Sequence, residues 1–157
     1  MSLYILYLLA TVSAFISMEG VAWFAHKYVM HGLLWSWHRD HHQVEPDSFL
    51  EKNDLFFIVF ALPGISLIIF GSNGFTISFW LGLGIALYGL CYFVVHDVFI
   101  HRRLSLFKHT KLPYFKALRK AHKIHHKKQE RKDGECFGML WVPRKYFKEA
   151  RQSNTPI

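Results

Sequence analysis

Ten of the eleven histidines fall into four short clusters that repeat one spacing pattern. A pair separated by four residues is followed by a triplet with the spacing H-x2-H-H, and the same order then occurs a second time. The pairs are His26 with His31 and His96 with His101, and the triplets are His38, His41, His42 and His122, His125, His126. Neutral imidazole binds Fe, Zn, Cu or Ni ions, so the pattern indicates a metal site without naming the metal.

The spacing within each cluster has a geometric consequence on a helix. Positions i, i+3 and i+4 span only about 60° of arc, so each triplet is predicted to direct three imidazoles at one point. Positions i and i+5 lie about 140° apart, so each pair either binds one metal at a loosened helix end or supplies two separate metals. Ten imidazoles suit about five ligands on each of two metal ions. The eleventh histidine, His109, belongs to no cluster and is predicted to be a solvated residue.

Three acidic residues lie near these clusters and are candidates to support the site. Asp40 lies inside a triplet and Asp97 follows His96, so each either orients a ligand imidazole through its second nitrogen or is an ordinary solvated or ion-paired acid. Glu19, alone as a charge in the first apolar run, either acts in the site or extends to the membrane surface. The sequence has no Glu-x-x-His, which argues against a carboxylate-bridged site of the ferritin type.

Three apolar runs must position these residues. They cover residues 3–25, 55–70 and 75–95, and the short turn at residues 71–74 joins the last two. As helices, the first and third would be about 34 and 32 Å long, enough to cross a hydrocarbon core of about 30 Å. The first run lacks the basic start of a cleavable signal peptide, and its apolar stretch is too long for one. We therefore expect an all-α integral membrane protein with about three transmembrane helices.

The distribution of charge predicts an orientation in that membrane. The chain has 157 residues, 52% of them hydrophobic, and a formal net charge of +8. All 19 lysines and arginines lie outside the apolar runs, either between the first two or after the third. By the positive-inside rule, residues 26–54 and 96–157 are then cytoplasmic and the N-terminus is outside. The aromatic content of 17% excludes a disordered chain, and membrane orientation accounts for the positive charge without nucleic-acid binding.

A cytoplasmic helix is predicted from Pro113, a residue that suits a first helical position. Phe115, Leu118, His122 and His125 follow at spacings of 3, 4 and 3 and form one stripe. The basic residues on the rest of this segment are Lys116, Arg119, Lys120, Lys123 and Lys127. We expect an amphipathic helix on the anionic inner leaflet that holds its histidines over the membrane helices. The chain, residues 1–157, is thus expected to be one domain with a cytoplasmic helical cap around a di-metal site.

Several phrases of the sequence, taken with the histidine pattern, resemble a known family. They are Met18-Glu-Gly, His26-Lys-Tyr-Val-Met-His31-Gly, Asn53-Asp-Leu, Tyr88-Gly-Leu, Val95-His-Asp and Phe137-Gly-Met-Leu-Trp. The four clusters resemble the fatty acid hydroxylase/sterol desaturase superfamily. The phrases and the short length resemble its bacterial β-carotene 3-hydroxylase family, over about residues 18–142. Other members often carry four membrane helices, whereas three are predicted here.

The resemblance implies a non-haem di-iron monooxygenase of carotenoid biosynthesis. Such an enzyme uses O2 to hydroxylate carbon 3 of each β-ionone ring, converting β-carotene through β-cryptoxanthin to zeaxanthin. The ten clustered histidines match the family's iron-ligand positions, although isolated protein could carry zinc. Because an unactivated methylene needs a cofactor as oxidant, electrons must come from a donor such as reduced ferredoxin, an acidic protein that the basic tail could bind. Trp23, Phe93 and Phe99 are candidates for a wall that receives the ring from the bilayer.

Two other readings stay open on the sequence alone. One is a different membrane di-iron enzyme that acts on a fatty acyl or sterol chain, or a carotenoid ketolase. The other is a non-enzymatic metal-binding or metal-transport protein. Transport would need polar or ionisable residues along the apolar runs, where Glu19 is the only charged residue.

Overall fold

The computed structural model describes residues 2–43, 50–104, 106, 109–128, 131 and 134–152, and this part of the chain contains helices and no strands. The α-helices are α1 (Leu3–Phe24), α2 (Trp35–His42), α3 (Leu55–Gly71), α4 (Ile77–Tyr92), α5 (Pro113–Lys127) and α6 (Arg144–Gln152). Two π-helical segments continue α1 and α4, namely π1 (Ala25–Leu33) and π2 (Phe93–Ile100). A short 3-10 turn, Lys52–Asp54, leads into α3.

In the described part of the chain, three helical stretches are long and apolar enough to cross a membrane: Leu3–Leu33, Lys52–Gly71 and Ile77–Ile100. Large apolar side chains on their outer faces are exposed, and these include Leu8 at 63% and Ile69 at 65%. Such a surface is stable in lipid and unfavourable in water. The predicted all-α protein with three spanning helices is therefore confirmed. All three stretches extend past the C-terminal ends of the predicted runs.

Small residues bring the long helices into close contact. A Cβ atom at Gly82 of α4 would lie 2.7 Å from the carbonyl oxygen of Gly64 in α3, so the two backbones approach closely only because neither residue has a side chain there. Gly84 of α4 lies against the backbone of α1 at Thr11. The Thr11 hydroxyl also donates a hydrogen bond to the Trp80 carbonyl at 3.1 Å. Packing through small residues is typical of membrane helices, and here it places α4 between α1 and α3.

Helix α5 packs between the second π-helical segment and α6. Ala117 and Ala121 of α5 are buried against α6, where they contact Tyr146. Leu118 of α5 packs into the apolar cluster formed by π2. α5 is thus covered on two sides by protein, which fixes the position of the histidines that it carries.

Two residues of the predicted basic face of α5 are buried instead. Lys116 is 5% exposed and Arg119 is fully buried. The Arg119 guanidinium lies 3.9 Å from the centre of the Phe99 ring and donates a hydrogen bond to the Phe99 carbonyl at 2.7 Å. The prediction assumed that α5 rests on lipid with one face only, whereas packing on both π2 and α6 leaves a narrower exposed face. Its exposed basic residues are Lys120, Lys123, Lys127 and, at the C-cap, Lys128.

Candidate metal centre

The structure brings the ten clustered histidines together where α1 and α4 pass into their π-helical segments. Eight of the ten are buried, and His101 and His126 are half-buried. They come from π1, α2, the end of π2 and α5. His109 is exposed, as the sequence predicted for a histidine outside the clusters.

Nine of these imidazoles form two groups, in each of which one nitrogen per residue lies within 4.8 Å of every other. Group A consists of His26, His31, His38, His42 and His125. Group B consists of His41, His96, His101 and His122. Both sets of nitrogen atoms are close enough together to hold a metal ion.

His126, the tenth histidine, belongs with group B by position. Its ring centre lies 4.7, 4.8 and 4.5 Å from those of His41, His101 and His122. Its Nε2 atom is buried and has no hydrogen-bond partner among the described residues. Because buried polar atoms are nearly always paired, a further group is expected at this nitrogen. With His126, each group offers five imidazoles.

The π-helical segments explain how each H-x4-H pair serves a single group. Backbone hydrogen bonds in a π-helix join residues five apart, so such residues lie on adjacent turns. The N–H of His101 donates a bond of this kind to the carbonyl of His96 at 2.9 Å. His26 and His31 lie in group A, and the other pair lies in group B. Each pair therefore contributes to one group at a loosened helix end, which is one of the two arrangements that the sequence allowed.

The prediction that each triplet points at one centre is wrong. In α2, His41 belongs to group B and the other two histidines to group A. In α5, His125 belongs to group A and His122 to group B. The groups are adjacent, since the rings of His42 and His126 stack at 4.5 Å. The spacing i, i+3, i+4 keeps imidazoles on one helix face, but it does not determine which of two neighbouring centres each one reaches.

Hydrogen bonds from Nδ1 orient seven of the imidazoles. Each of these Nδ1 atoms lies 2.6–3.4 Å from an acceptor oxygen, so Nδ1 carries the proton and Nε2 keeps its lone pair. The pairs are His26 with Phe137 O, His31 with Arg131 O, His38 with Asn53 Oδ1, His41 with Glu51 Oε2, His42 with Lys128 O, His96 with Asp97 Oδ2 and His125 with Glu135 O.

The Nε2 atoms of these histidines face one another inside the groups. The Nε2 atoms of His26 and His38 are 3.1 Å apart in group A, and those of His41 and His96 are 3.1 Å apart in group B. Since the proton of each ring is on Nδ1, both Nε2 atoms of a pair are acceptors and cannot hydrogen-bond to each other. Buried lone pairs directed at one another need a cation. The residues present therefore fit a metal ion in each group.

Burial also keeps the imidazoles neutral, which metal binding requires. Burial lowers the pKa of His38, His42 and His125 to about 3, and that of His101 to about 2. Repulsion between neighbouring imidazoles lowers these pKa values further, while the hydrogen bond to Asn53 opposes the fall at His38. At neutral pH each of these rings keeps a lone pair for a metal.

Two of the candidate acids have different roles. The Oδ2 atom of Asp97 lies 3.3 Å from His96 Nδ1, where a carboxylate orients an imidazole. Asp40 instead accepts the backbone N–H of Lys52 at 2.6 Å. It therefore fixes the turn that leads into α3, a contact that its position inside a histidine triplet did not indicate.

Glu19 holds a distant segment of chain against the membrane helices. Its Oε1 atom accepts three backbone N–H groups, those of residues 139–141, at 2.8–2.9 Å. Its Oε2 atom accepts the Tyr88 hydroxyl at 2.7 Å. The same segment begins at Phe137, whose carbonyl accepts the Nδ1 proton of His26 at 2.9 Å. Glu19 therefore supports group A only indirectly, because it holds the segment whose Phe137 carbonyl orients His26.

The sequence reasoning missed Glu51, Asn53 and Arg103. Glu51 and Asn53 each accept an Nδ1 proton from an α2 histidine at 2.6 Å. Arg103 forms ion pairs with Glu51 at 3.0 Å, Asp54 at 2.8 Å and Asp97 at 3.4 Å. Burial raises the pKa of Glu51, and the charge of Arg103 opposes that rise. The available signal was the polar run at residues 51–54 immediately before an apolar run.

An apolar cavity of about 290 Å³ lies between α1, α3 and α4. His26 of group A and His96 of group B are among the residues that line it. Its margin includes the exposed side chains of Phe57, Leu90 and Phe93, so the cavity opens between the membrane helices. It connects the region of the lipid chains with both histidine groups.

Only one of the three predicted wall residues lines this cavity, namely Phe93. Trp23 is 40% exposed and packs edge-on against Tyr28 on the outside of the bundle. Phe99 is buried in the core of π2 beneath the Arg119 guanidinium. Aromatic character and proximity to a histidine therefore did not determine which face of the helix each side chain occupies.

Three helices of membrane length and a buried pair of imidazole groups define a membrane protein with a polyhistidine centre suited to metal ions. The chain belongs to the fatty acid hydroxylase family, whose sequence model matches residues 11–143. The matched region contains all ten clustered histidines. The family resemblance predicted from the sequence is confirmed.

Named relatives are similar over most of the chain. The β-carotene hydroxylase of Pantoea ananas is 42% identical over 128 residues, which cover 82% of this chain and 73% of the relative. The β-carotene hydroxylase of Pseudescherichia vulneris is 41% identical over 134 residues, which cover 85% of this chain and 76% of the relative. A chloroplastic β-carotene 3-hydroxylase from an Oncidium hybrid cultivar is 40% identical over 119 residues, which cover 73% of this chain and 39% of the relative. No solved structure matches the chain.

Proposed function

We propose that this protein hydroxylates carbon 3 of the β-ionone rings of β-carotene in an O2-dependent reaction, giving β-cryptoxanthin and then zeaxanthin. The observation that carries the proposal is the apolar cavity, which opens between membrane helices and is lined by imidazoles of both groups. A carotene dissolved in the bilayer enters such a cavity without crossing water. The names of the relatives support this substrate, and one of them specifies position 3.

Group A and group B, the latter with His126, would each hold one iron ion. Two bound irons supply the activation of O2, with two external electrons, that hydroxylation of an unactivated C–H bond requires. The chain itself orients the imidazoles through their Nδ1 acceptors and keeps water from the centre with an apolar wall. The cavity would bring the ring to imidazoles of both groups, since His26 and His96 line it.

We place the histidine centre, within a single domain, on the cytoplasmic side of the membrane. The positions of the lysines and arginines support this orientation by the positive-inside rule. α5 carries three of the ten histidines and exposes a row of lysines on its other side. That row gives an acidic electron donor, such as reduced ferredoxin, a complementary surface close to the centre.

The proposed activity is tested by producing the protein in a bacterium that accumulates β-carotene and separating the extracted pigments by chromatography. We expect β-cryptoxanthin and zeaxanthin to appear as β-carotene disappears. A 4-keto product would identify a ketolase instead. Unchanged β-carotene, in cells that contain folded iron-loaded protein and a working reductant, would contradict the proposal.

Filling the cavity at Gly89 should block the substrate without disturbing the helices. Gly89 lines the cavity, and a Cβ atom there would meet nothing within 4 Å. We expect Gly89→Leu to lower the rate of β-carotene conversion about tenfold or more, because the added side chain occupies space that the ring needs. Pigment conversion per folded protein measures this effect.

Gly20→Leu is the matched control for that substitution. Gly20 also lies in a membrane helix with open space around its Cβ position, but it does not line the cavity. We expect this variant to convert β-carotene at the unchanged rate. Equal activity of the two variants would show that the cavity is not the substrate site.

A further inference from the structure

The two histidine groups differ in the kind of oxygen that orients them. In group A all five Nδ1 atoms face neutral oxygens, four of them backbone carbonyls and one the side-chain amide of Asn53. In group B the two Nδ1 atoms with described acceptors, those of His41 and His96, face the carboxylates of Glu51 and Asp97. A carboxylate behind an imidazole makes that imidazole a stronger metal ligand.

The charged side chains beside the two groups also differ, and those beside group B are the more negative. Glu51, Asp54 and Asp97 all pair with Arg103 beside group B, so three carboxylates against one guanidinium leave two negative charges. These four side chains are only 12–28% exposed, which limits screening by solvent. Next to group A, by contrast, the Arg131 guanidinium donates a hydrogen bond to the carbonyl of His31 at 3.0 Å.

We propose that the two metal positions are unequal and that group B binds a divalent metal ion more tightly than group A. Glu51 and Asp97 are positioning residues that create the difference through His41 and His96. The proposal rests on the proposed two-metal centre, but it concerns metal affinity and needs no catalytic turnover. Arg103 holds both carboxylates in place and joins the turn at residues 51–54 to π2 beside group B.

The test is a zinc titration of the full-length protein in lipid nanodiscs, in equilibrium competition with a chelator. We expect two bound zinc ions per chain with clearly different dissociation constants. Glu51→Gln keeps an acceptor oxygen for His41 Nδ1 but removes the charge. It should weaken the tighter site about 10- to 100-fold and leave the weaker site unchanged.

Asn53→Asp is the reciprocal variant. It places a carboxylate behind His38 of group A in nearly the same shape, so the weaker site should become tighter by a similar factor. Glu149→Gln is the matched control, because its exposed carboxylate pairs with Lys120 and belongs to neither histidine group. That control should leave both zinc affinities unchanged.

Two equal zinc affinities in the unmodified protein would overturn the inequality. Equal weakening of both sites by Glu51→Gln would also overturn it. If Glu51→Gln does not fold, Asp97→Asn tests the same effect at the second carboxylate of group B. Absence of any zinc binding would remove the metal centre itself. Unequal zinc sites in a protein that leaves β-carotene unchanged would instead support the inequality and contradict only the proposed reaction.

Discussion

Replacing His125 by alanine should abolish pigment conversion and lower the amount of bound metal. His125 is fully buried, lies in group A, and has its Nδ1 fixed at 2.8 Å by the Glu135 carbonyl. Its loss leaves four imidazoles in group A and a cavity where the ring stood. We expect conversion to fall below detection and metal content to drop from two ions toward one per chain. His38→Ala should behave in the same way, because His38 lies in the same group.

His109→Ala is the control for both variants. It removes the one histidine that is exposed and outside the groups, so activity and metal content should stay unchanged. Metal analysis of purified protein, together with pigment chromatography, separates loss of metal from loss of folding. Full activity in His125→Ala or His38→Ala would contradict the assignment of group A as a metal site.

Replacing Glu19 by alanine should have the second largest effect, although Glu19 contacts no histidine in the described structure. Three backbone N–H groups of residues 139–141 would lose their acceptor. Two of these three N–H groups are part-buried, and an unsatisfied N–H away from water costs about 1–3 kcal/mol, so the segment should detach or the fold should lose about 2 kcal/mol or more. Because Phe137 in the same segment orients His26, we also expect conversion to fall at least about tenfold.

Two milder variants separate the parts of this effect. Glu19→Gln keeps an oxygen for the three N–H groups and should retain most of the stability. Tyr88→Phe removes only the donor to the other carboxylate oxygen and should cost about 1 kcal/mol. Thermal unfolding in nanodiscs measures the stability of both variants. Their zinc affinity then reports whether group A is still intact. If Glu19→Ala matched the unmodified protein in stability and conversion, the segment would not depend on this carboxylate.

The features that could be predicted from the sequence are those set by local spacing and composition. Hydropathy alone located the three spanning helices, and the repeated histidine spacing identified ten residues that the structure gathers in one place. The helix from Pro113 was also evident, because Pro113 marks its start and the stripe of apolar and histidine residues follows one face. These signals depend on neighbours within one or two helical turns.

The features that could not be predicted depend on contacts between distant segments. Glu51 and Asn53 meet their histidines only after the chain turns back on itself. The amphipathic pattern of α5 predicts Arg119 on its basic face, and only the packing of α5 on π2 shows that Arg119 is buried. The role of Glu19 depends on a segment 120 residues further along the chain, which its own helix does not indicate.

The division of each histidine triplet between groups A and B also depends on contacts between distant segments. A spacing of i, i+3 and i+4 describes one helix, whereas the assignment of His41 and His125 depends on where two helices place their faces relative to each other. The π-helical segments were also not predicted as such, because a loosened helix end has no distinct composition. Their i to i+5 bonds are nevertheless what makes the spacing of the pairs useful.

The function that we propose for the ten histidines is to hold two irons that serve the 3-hydroxylation of a carotenoid. Its most direct test is to load the purified protein with iron in nanodiscs, count iron per chain, and supply β-carotene, a reductant and ¹⁸O₂. We predict two irons per chain and zeaxanthin that carries ¹⁸O at carbon 3 of both rings. Iron-loaded, reduced protein that leaves β-carotene unlabelled and unchanged would contradict the account.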